Sequence, residues 1–342
     1  MKALILTEYK KLVYTDSPTP EIAENDVLIR VNSCGICGSD IHGFDGSTGR
    51  RIPPVIMGHE ASGDIVSTGR NVLAWKPGDR VTFDSTIFCG KCDYCRQGLI
   101  NLCDNRRVLG VSCGDYRQNG AFAEYVAVPE HILYRLPNDV TYEQAAMVEP
   151  VSIAFHAVNL TPRTINSTVV VVGAGMIGLL VIQTLRMVGC GKIIAMDIDP
   201  ARLKIAAQFG ADFCLSSDSE SPSHVFDLTG GRGADIALDV VGINQSVNTA
   251  LACLKKNGSL TLIGNISPHI DLPLQSIVTR QVTLRGSCAS NGEYGACLDM
   301  IARKAINVDP IISAVAPLEE GEVWFNRLFN KEGDFLKVIL KP

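Results

Sequence analysis

Residues 169–178 read Val169-Val170-Val171-Val172-Gly173-Ala174-Gly175-Met176-Ile177-Gly178. The four β-branched valines predict a buried strand, and the three glycines predict a tight turn that opens a helix. The next predicted strand, at residues 192–196, is followed directly by Asp197, 24 residues beyond Gly173. Glycines at this spacing, set between a strand and a helix and followed by such an acid, are typical of a dinucleotide-binding turn.

This turn also predicts which dinucleotide binds. The helix N-terminus would receive the pyrophosphate. Asp197 would accept hydrogen bonds from both ribose hydroxyls and repel a 2′-phosphate, so NAD is favoured over NADP. Arg202 could instead accept a phosphate, but we expect it to flank the adenine; a glycine-rich turn without a ligand is the alternative. The predicted cofactor-binding residues are Gly173, Gly175, Met176, Ile177, Gly178, Asp197 and Arg202.

Away from this turn, the sequence changes character near residue 150. Strands and helices alternate from there to residue 286, which predicts a doubly wound parallel sheet and an α/β protein. Before it lie many short β-like runs separated by Gly, Pro and Asp, which predict a barrel-like all-β domain. We therefore expect a barrel-like domain at 1–151, a nucleotide-binding domain at 152–286, and a tail at 287–342 whose last strand returns to the first domain.

Four cysteines predict a closed metal site. Their spacing is C-x2-C-x2-C-x7-C, formed by Cys89, Cys92, Cys95 and Cys103. Four thiolates on one loop can surround a zinc ion as a tetrahedron, and because protein fills every position the site would be structural. An iron–sulfur cluster is disfavoured, because the ferredoxin-type run has a shorter last gap followed by proline, whereas Asp104 follows here.

Two glycine-containing runs predict a second, open metal site. They are Cys34-Gly35-Ile36-Cys37-Gly38-Ser39-Asp40-Ile41-His42 and Gly58-His59-Glu60-Ala61-Ser62-Gly63. Thiolate and imidazole are ligands that zinc prefers, so Cys37 and His59 are the first two candidates. Asp40 is placed to hold the imidazole by its other nitrogen, with a turn residue as the alternative.

The third ligand of this open site has several candidates. Glu149 stands in Val148-Glu149-Pro150, where the proline fixes the chain just after the carboxylate. Glu60 adjoins His59 and could bind directly or exchange, and water could complete the shell. Three protein ligands leave one position for a substrate, so this site would be catalytic.

The bulk composition excludes several classes of protein. The 342 residues carry a formal net charge of −5 without a basic stripe, which argues against a nucleic-acid partner. No run approaches the roughly 18 apolar residues of a membrane helix, and residues 1–7 are too short for a signal peptide. Twelve cysteines without an export signal therefore predict metal ligation in the reducing cytoplasm.

One stretch predicts self-association. Val282-Thr283-Leu284 would form the edge strand of the parallel sheet, and unpaired edges tend to be paired or covered. We therefore expect a homodimer or homotetramer.

These motifs together resemble one family. The pattern Gly58-His59-Glu60-x-x-Gly63-x5-Gly69-x-x-Val72 matches in full the zinc signature of the zinc-containing medium-chain dehydrogenase/reductases. The four-cysteine loop and the glycine-rich turn follow in the family's order. Within the family the chain is similar to the sorbitol dehydrogenase-like branch, which acts on polyols or sugar-alcohol phosphates. In that branch Glu149-Pro150 stands where dehydrogenases of simple alcohols carry a cysteine ligand.

The resemblance implies a GroES-like β-barrel catalytic domain, a Rossmann domain and a cleft between them. It implies a zinc- and NAD-dependent oxidoreductase, with one catalytic and one structural zinc, that oxidises a secondary alcohol of a polyol or sugar alcohol to the ketose. Ser39 would take the substrate proton and pass it towards His42 through the cofactor ribose. The alternatives are L-threonine 3-dehydrogenase-like oxidation and a non-catalytic binding protein that kept the fold. The catalytic set is Cys37, Ser39, His42, His59, Glu60 and Glu149.

Two adjacent arginines lie between the two runs of the open site, at Arg50 and Arg51. A guanidinium suits bidentate binding of phosphate, so the pair could clamp a phosphorylated sugar alcohol such as a hexitol phosphate. Solvated loop charges or an interface pair are the alternative.

Overall fold

The computed structural model of the chain describes residues 1–162 and 164–342, and at Asp115 the backbone alone. These residues separate into two compact units. The barrel unit comprises residues 1–149 and 291–342, and the nucleotide unit comprises residues 150–290. The divisions at 149 and 290 lie within a few residues of the predicted boundaries.

In chain order, the strands of the described residues are β1 (Lys2–Glu8), β2 (Lys11–Asp16), β3 (Asp26–Gly35), β4 (Val55–Ile56), β5 (Glu60–Thr68), β6 (Arg80–Phe83), β7 (Thr86–Ile87), β8 (Arg107–Val108), β9 (Tyr125–Pro129), β10 (Leu133–Arg135), β11 (Thr168–Val172), β12 (Lys192–Asp197), β13 (Phe213–Ser216), β14 (Ala234–Asp239), β15 (Leu254–Leu262), β16 (Thr283–Gly286), β17 (Ile312–Pro317) and β18 (Lys337–Lys341). The helices are α1 (Gly38–Phe44), α2 (Asp93–Arg96), α3 (Tyr142–Ala146), α4 (Val148–Leu160), α5 (Met176–Met187), α6 (Pro200–Gln208), α7 (Ser221–Leu228), α8 (Asn244–Cys253), α9 (Leu274–Arg280), α10 (Tyr294–Ala302) and α11 (Gly321–Phe329). Short 3₁₀ turns occupy Ile100–Leu102, Gly114–Tyr116, Glu130–Ile132, Asp309–Ile311 and Leu318–Glu320.

The barrel unit is built mainly from antiparallel strands. Its largest sheet has the order β10-β6-β5-β3-β18-β17, with β9 also paired to β3, beside a three-stranded sheet β2-β1-β4 and a short pair β7-β8. Gly35 at the end of β3 pairs with Glu60 at the start of β5 and with Ile339 of β18. Three chain segments far apart in sequence therefore meet where β3 leads into α1.

The far end of α1 is anchored in the core of the barrel unit. Its last residue, Phe44, is fully buried, and its ring centroid lies 5.6 Å from that of Phe325 on α11. Phe122 packs edge-on against the same ring, at 5.7 Å. Aromatic pairs of this geometry add to the stabilisation from area burial, so α1 has a fixed position relative to the sheet.

The nucleotide unit is a six-stranded parallel sheet. Its strand order is β13-β12-β11-β14-β15-β16, and helices connect successive strands. The central strand β11 pairs with β12 on one side and β14 on the other, and its four valines are buried. The order therefore reverses at β11, which is where doubly wound sheets bind their ligands. The predicted α/β class, a barrel with a Rossmann-type parallel sheet, is confirmed.

Among the described residues, no helix has the length and apolar character that a membrane span requires.

Candidate metal centres and cofactor turn

Local backbone geometry positions the first candidate ligand, Cys37. It is the N-cap of α1: its Sγ accepts a hydrogen bond from Ser39 N at 3.4 Å, and its own N donates to Asp40 Oδ2 at 3.2 Å. Such reciprocal capping satisfies backbone donors that a helix start otherwise leaves free. The thiol is thereby fixed at the junction of β3 and α1.

His59 and Glu60 reach the same place from β5. Gly58 precedes them with φ +92°, a conformation that favours glycine, and a Cβ there would lie 2.9 Å from Cys34 Sγ and from the ring of Phe122. One ligand atom each from Cys37, His59 and Glu60 lies within 4.8 Å of the others. These three side chains therefore form a compact cluster of sulfur, nitrogen and oxygen, in which His59 and Glu60 are buried.

The charges around this cluster favour a bound cation. His59 Nδ1 lies 3.5 Å from Asp40 Oδ1, close enough for charge attraction but without hydrogen-bond alignment. Burial opposes protonation of His59, yet the Asp40 carboxylate and Cys37 beside it raise the pKa of the imidazole well above its usual value. Burial alone would raise the pKa of Asp40, but His59 and Arg51 hold it well below its usual range. The predicted position of Asp40 behind His59 agrees with this geometry.

Glu60 is held by a residue that the sequence patterns did not single out. Lys337 Nζ, on β18, lies 2.5 Å from Glu60 Oε2 and also donates to Ile36 O at 3.0 Å. The two side chains are 1% and 0% exposed. Glu60 Oε1 is buried without a hydrogen-bond partner among the described residues. A buried carboxylate oxygen left unpaired beside a thiol and an imidazole suits a metal ion.

Glu149 lies near this cluster but outside its closest group of atoms. It sits in the first turn of α4, and the set of ligand atoms within 4.8 Å contains Glu60 instead. Burial raises the pKa of Glu149 to about 7; His59 opposes this shift and Glu60 adds to it. The charges of His59 and Glu60 thus act on Glu149, and both carboxylates stay candidates for the third ligand.

The two residues predicted to move a proton lie on α1. Ser39 is exposed, and its hydroxyl donates to Cys37 Sγ at 3.3 Å. His42 is also exposed and follows three residues later. Residues at this spacing are neighbours on a helix surface, so Ser39 and His42 lie on one exposed face of α1.

The predicted arginine clamp is corrected by the structure. Arg50 is exposed, but Arg51 is only 3% exposed and its Nη2 donates to the buried Asp40 Oδ1 at 2.9 Å. A guanidinium already paired with a buried carboxylate does not offer a free fork to a phosphate. The two arginines therefore do not act together on one anion.

The four predicted cysteines of the closed site are brought together on one loop. Their Sγ atoms all lie within 4.8 Å of one another, and all four thiols are free. Backbone N–H groups of Lys91 and Cys92 lower the pKa of Cys89 to about 6, whereas burial and neighbouring thiols raise the pKa of Cys95 to about 12. Four thiols this close repel as thiolates unless a cation lies between them, so the set fits a tetrahedral zinc ion.

The glycine-rich turn of the nucleotide unit has the geometry its sequence predicts. Gly173 has φ +100°, and a Cβ on Gly178 would collide with Gly173 O. Helix α5 begins just after its N-cap, Gly175. Because the backbone N–H groups of a helix start are free, Met176 and Ile177 present donors suited to a pyrophosphate.

The acid and the arginine predicted beside this turn lie there. Asp197 Oδ2 accepts a hydrogen bond from Ala174 N at 2.6 Å, and its Oδ1 accepts one from Asp199 N at 2.9 Å. Arg202 Nη1 lies 3.9 Å from the place a Cβ on Gly175 would take. Each carboxylate oxygen has a further lone pair, so Asp197 can accept ribose hydroxyls as well.

A barrel unit with two side-chain clusters that could each hold a metal ion, and a parallel-sheet unit with a glycine-rich dinucleotide turn, are typical of the zinc-containing, nicotinamide-dependent dehydrogenases. Residues 23–138 match the model of the alcohol dehydrogenase GroES-like domain, and residues 177–303 match the model of the zinc-binding dehydrogenase domain. The chain belongs to the zinc-containing medium-chain dehydrogenase/reductase family, in its polyol dehydrogenase branch. It is an alcohol or polyol dehydrogenase, so the alternative of a non-catalytic binding protein is set aside.

Curated relatives align over nearly the whole chain. D-arabitol-phosphate dehydrogenase of Enterococcus avium is 34% identical, with 97% of this chain and 94% of the relative covered. Sorbitol dehydrogenase of Bacillus subtilis is 29% identical, with 100% and 97% covered. The two relatives are named for a phosphorylated and a free polyol.

Solved structures of similar fold contain nicotinamide cofactors. A zinc-binding dehydrogenase of Sinorhizobium meliloti 1021, bound to NADP, superposes with a TM-score of 0.90 at 29% identity and covers 100% of this chain and 99% of its own. An alcohol dehydrogenase of Escherichia coli CFT073, complexed with NADH, has a TM-score of 0.92 at 26% identity and covers 100% and 99%. Neighbours of one fold thus hold either dinucleotide.

Proposed function

We propose that this dehydrogenase oxidises a secondary alcohol of a polyol or sugar alcohol, free or phosphorylated, to the ketose, with NAD as the hydride acceptor. The observation that carries the proposal is the cluster of the half-buried Cys37 with the buried His59 and Glu60. The names of the relatives supply the substrate class. L-threonine 3-dehydrogenase-like oxidation stays the alternative.

Two zinc ions per chain complete the proposal. Cys37, His59 and either Glu60 or Glu149 would hold the catalytic ion, and the four-cysteine loop would hold the structural one. A zinc ion in the first site would supply Lewis-acid chemistry, which lowers the pKa of a hydroxyl bound to it. Asp40 would orient His59 by facing Nδ1, so that Nε2 serves as the ligand atom.

The chain's own residues would move the proton. The Ser39 hydroxyl, which can both donate and accept, would receive the substrate proton. His42 would pass it onward, because it is exposed and an imidazole can both accept and donate a proton. The substrate carbon that carries the oxidised hydroxyl would give up its hydrogen as hydride, and a bound NAD would supply the acceptor.

The substrate class is tested by a paired panel. We expect NAD reduction, followed by absorbance, with arabitol, sorbitol, xylitol and galactitol or with their phosphates, and none with L-threonine. Comparison of kcat/KM for each polyol and its phosphate decides between the two forms. Turnover of L-threonine above every polyol and phosphate would contradict the proposal.

Replacement of Asp197 by serine is expected to shift cofactor use from NAD towards NADP. Loss of a hydrogen bond to a charged group costs about 1.5–3 kcal/mol, so kcat/KM for NAD should fall roughly 10- to 100-fold. Removal of the carboxylate also removes repulsion of a 2′-phosphate, so kcat/KM for NADP should rise. Asp218→Ser is the control, because Asp218 likewise accepts backbone N–H bonds, from Glu220 and Ser221. Native protein that already prefers NADP would refute the assignment.

A homodimer through the nucleotide unit is also proposed. The edge strand β16 is largely exposed, and Leu274 and Val278 on the neighbouring α9 are 70% and 67% exposed. Light scattering should give twice the chain mass of 36.8 kDa, or four times for a tetramer. Leu274→Glu should lower that mass, whereas Leu73→Glu, at a 92% exposed position of the barrel unit, should not. A native mass of one chain would refute self-association.

A further inference from the structure

Arg51 occupies a fixed position between α1 and β4. The backbone on both sides of it is tied to Ser112. Ser112 N donates to Arg50 O at 3.1 Å, and Ser112 Oγ both accepts from Ile52 N at 2.5 Å and donates to Ile52 O at 2.9 Å. With the backbone held at each neighbour and the side chain 3% exposed, Arg51 has little freedom to leave its site.

The guanidinium of Arg51 meets two groups of the candidate catalytic site. Its Nη2 donates to Asp40 Oδ1 at 2.9 Å and to Ser39 Oγ at 3.2 Å. The same Oδ1 faces His59 Nδ1 at 3.5 Å, and the other oxygen of Asp40 accepts from Cys37 N at 3.2 Å. Arg51 Nη2 therefore contacts the Asp40 carboxylate. That carboxylate in turn contacts both segments that carry candidate ligands, through Cys37 N and His59 Nδ1.

We propose that Arg51 is a positioning residue that fixes the metal ligands through Asp40 and orients the Ser39 hydroxyl; this rests on the zinc site of the proposed function. A fully buried carboxylate needs a charged partner to stay ionised and in place. The planar guanidinium supplies that partner with a directed N–H. Arg51 also donates into one lone pair of Ser39, which leaves the hydroxyl proton directed to Cys37 Sγ, at 3.3 Å.

Packing around Arg51 also holds its side chain in place. Gly43, on α1, lies against its aliphatic stem, and a Cβ there would overlap Arg51 Cγ. Gly43 does not have a positive φ, so alanine is acceptable to its backbone and would act mainly by pushing the arginine. The chain thus offers a variant that moves Arg51 and keeps every charge.

The test compares Arg51→Met and Arg51→Lys with Arg135→Met, which removes an arginine from another aspartate pair of the barrel unit, Arg135 with Asp79. Metal release to a chelator is followed for the zinc-loaded protein, and the visible spectrum is recorded after cobalt(II) replaces the catalytic zinc. The four-cysteine site serves as an internal reference for release. Neither readout depends on a polyol substrate, so a failed substrate assignment leaves the result intact.

We expect Arg51→Met to bind the catalytic-site metal about 10- to 100-fold more weakly, the usual effect of losing a group behind a metal ligand, and therefore to release it faster to the chelator. The cobalt spectrum should shift, Arg51→Lys should restore part of the native behaviour, and Arg135→Met should leave both readouts native. If Arg51→Met does not fold, Arg51→Lys and Gly43→Ala carry the test, with faster release expected from each.

A double-mutant comparison identifies the route of the effect. If Arg51 acts through Asp40, then Arg51→Met should change metal release far less in an Asp40→Asn background than in the native one. Two outcomes would overturn the proposal. One is native metal release and a native cobalt spectrum with only a lower melting temperature. The other is native metal release with a raised KM confined to phosphorylated polyols, which would make Arg51 a substrate ligand.

Discussion

Replacement of His59 by alanine is expected to lower kcat/KM for the polyol about a thousandfold or more and to remove one of two zinc equivalents. Metal activation of a hydroxyl contributes several kcal/mol to the rate, and each 1.36 kcal/mol is about a factor of ten. Cys37 would remain together with Glu60 or Glu149, but two protein ligands hold zinc poorly. Steady-state kinetics and metal analysis of the purified protein measure both effects.

The His59→Ala protein should keep its fold. Phe44, Phe122 and Phe325 anchor α1 from its other end, and the Arg51 pair with Asp40 persists without the imidazole. Circular dichroism should therefore be native. His224→Ala, at an exposed position of the nucleotide unit, should retain native activity and both zinc equivalents. Two zinc equivalents together with more than a tenth of native kcat/KM in His59→Ala would show that the open site lies elsewhere.

Sequence patterns predict the parts of this molecule that depend on neighbouring residues. The valine run, the three glycines and Asp197 act within one strand–turn–helix unit, where local spacing determines which groups meet. The four cysteines are likewise confined to one loop. Their pattern and geometry agree because no long-range pairing of strands is needed to bring them together.

The open site depends on contacts between segments that are distant in sequence, and sequence patterns predict fewer of its residues. Lys337 reaches Glu60 only because β18 pairs with β3, which also pairs with β5. Its one sequence signal is a lysine within the apolar run Leu336-Lys337-Val338-Ile339-Leu340, which indicates a buried partner without naming it. The sequence also leaves open whether Glu60 or Glu149 is the third ligand, because the distance of each carboxylate from Cys37 and His59 depends on tertiary packing.

For Arg51, the sequence suggests a role in phosphate binding that the structure does not support. Adjacent arginines beside a candidate active site favour an anion-binding interpretation from sequence alone. The structure buries one arginine and exposes the other, because Ser112 fixes the loop backbone on both sides of Arg51. The buried guanidinium of Arg51 pairs with Asp40 instead of facing the substrate. The spacing of residues in the sequence does not predict this pairing.

The two proposed zinc sites should respond differently to loss of a ligand. The open site is surrounded by a sheet and by α1, both packed into the barrel core. The four-cysteine site lies on a loop with two short helical turns, α2 and Ile100–Leu102, and α2 has no buried residue. A segment with so little apolar burial would depend on a bound metal ion for its structure. A ligand change there should therefore affect stability first.

Replacement of Cys92 by serine is accordingly expected to lower the free energy of unfolding by about 3–5 kcal/mol, less than the roughly 10–16 kcal/mol that zinc contributes to isolated finger peptides. The melting temperature should fall by about 6–20 °C, since each kcal/mol shifts a unit of this size by about 2–4 °C. Zinc content should fall from two equivalents to one, while the folded fraction keeps kcat within a few-fold of native. Cys288→Ser, an exposed cysteine outside the loop, should change none of these. Full retention of both zinc equivalents and of the native melting temperature in Cys92→Ser would mean that the four thiols do not hold a structural ion.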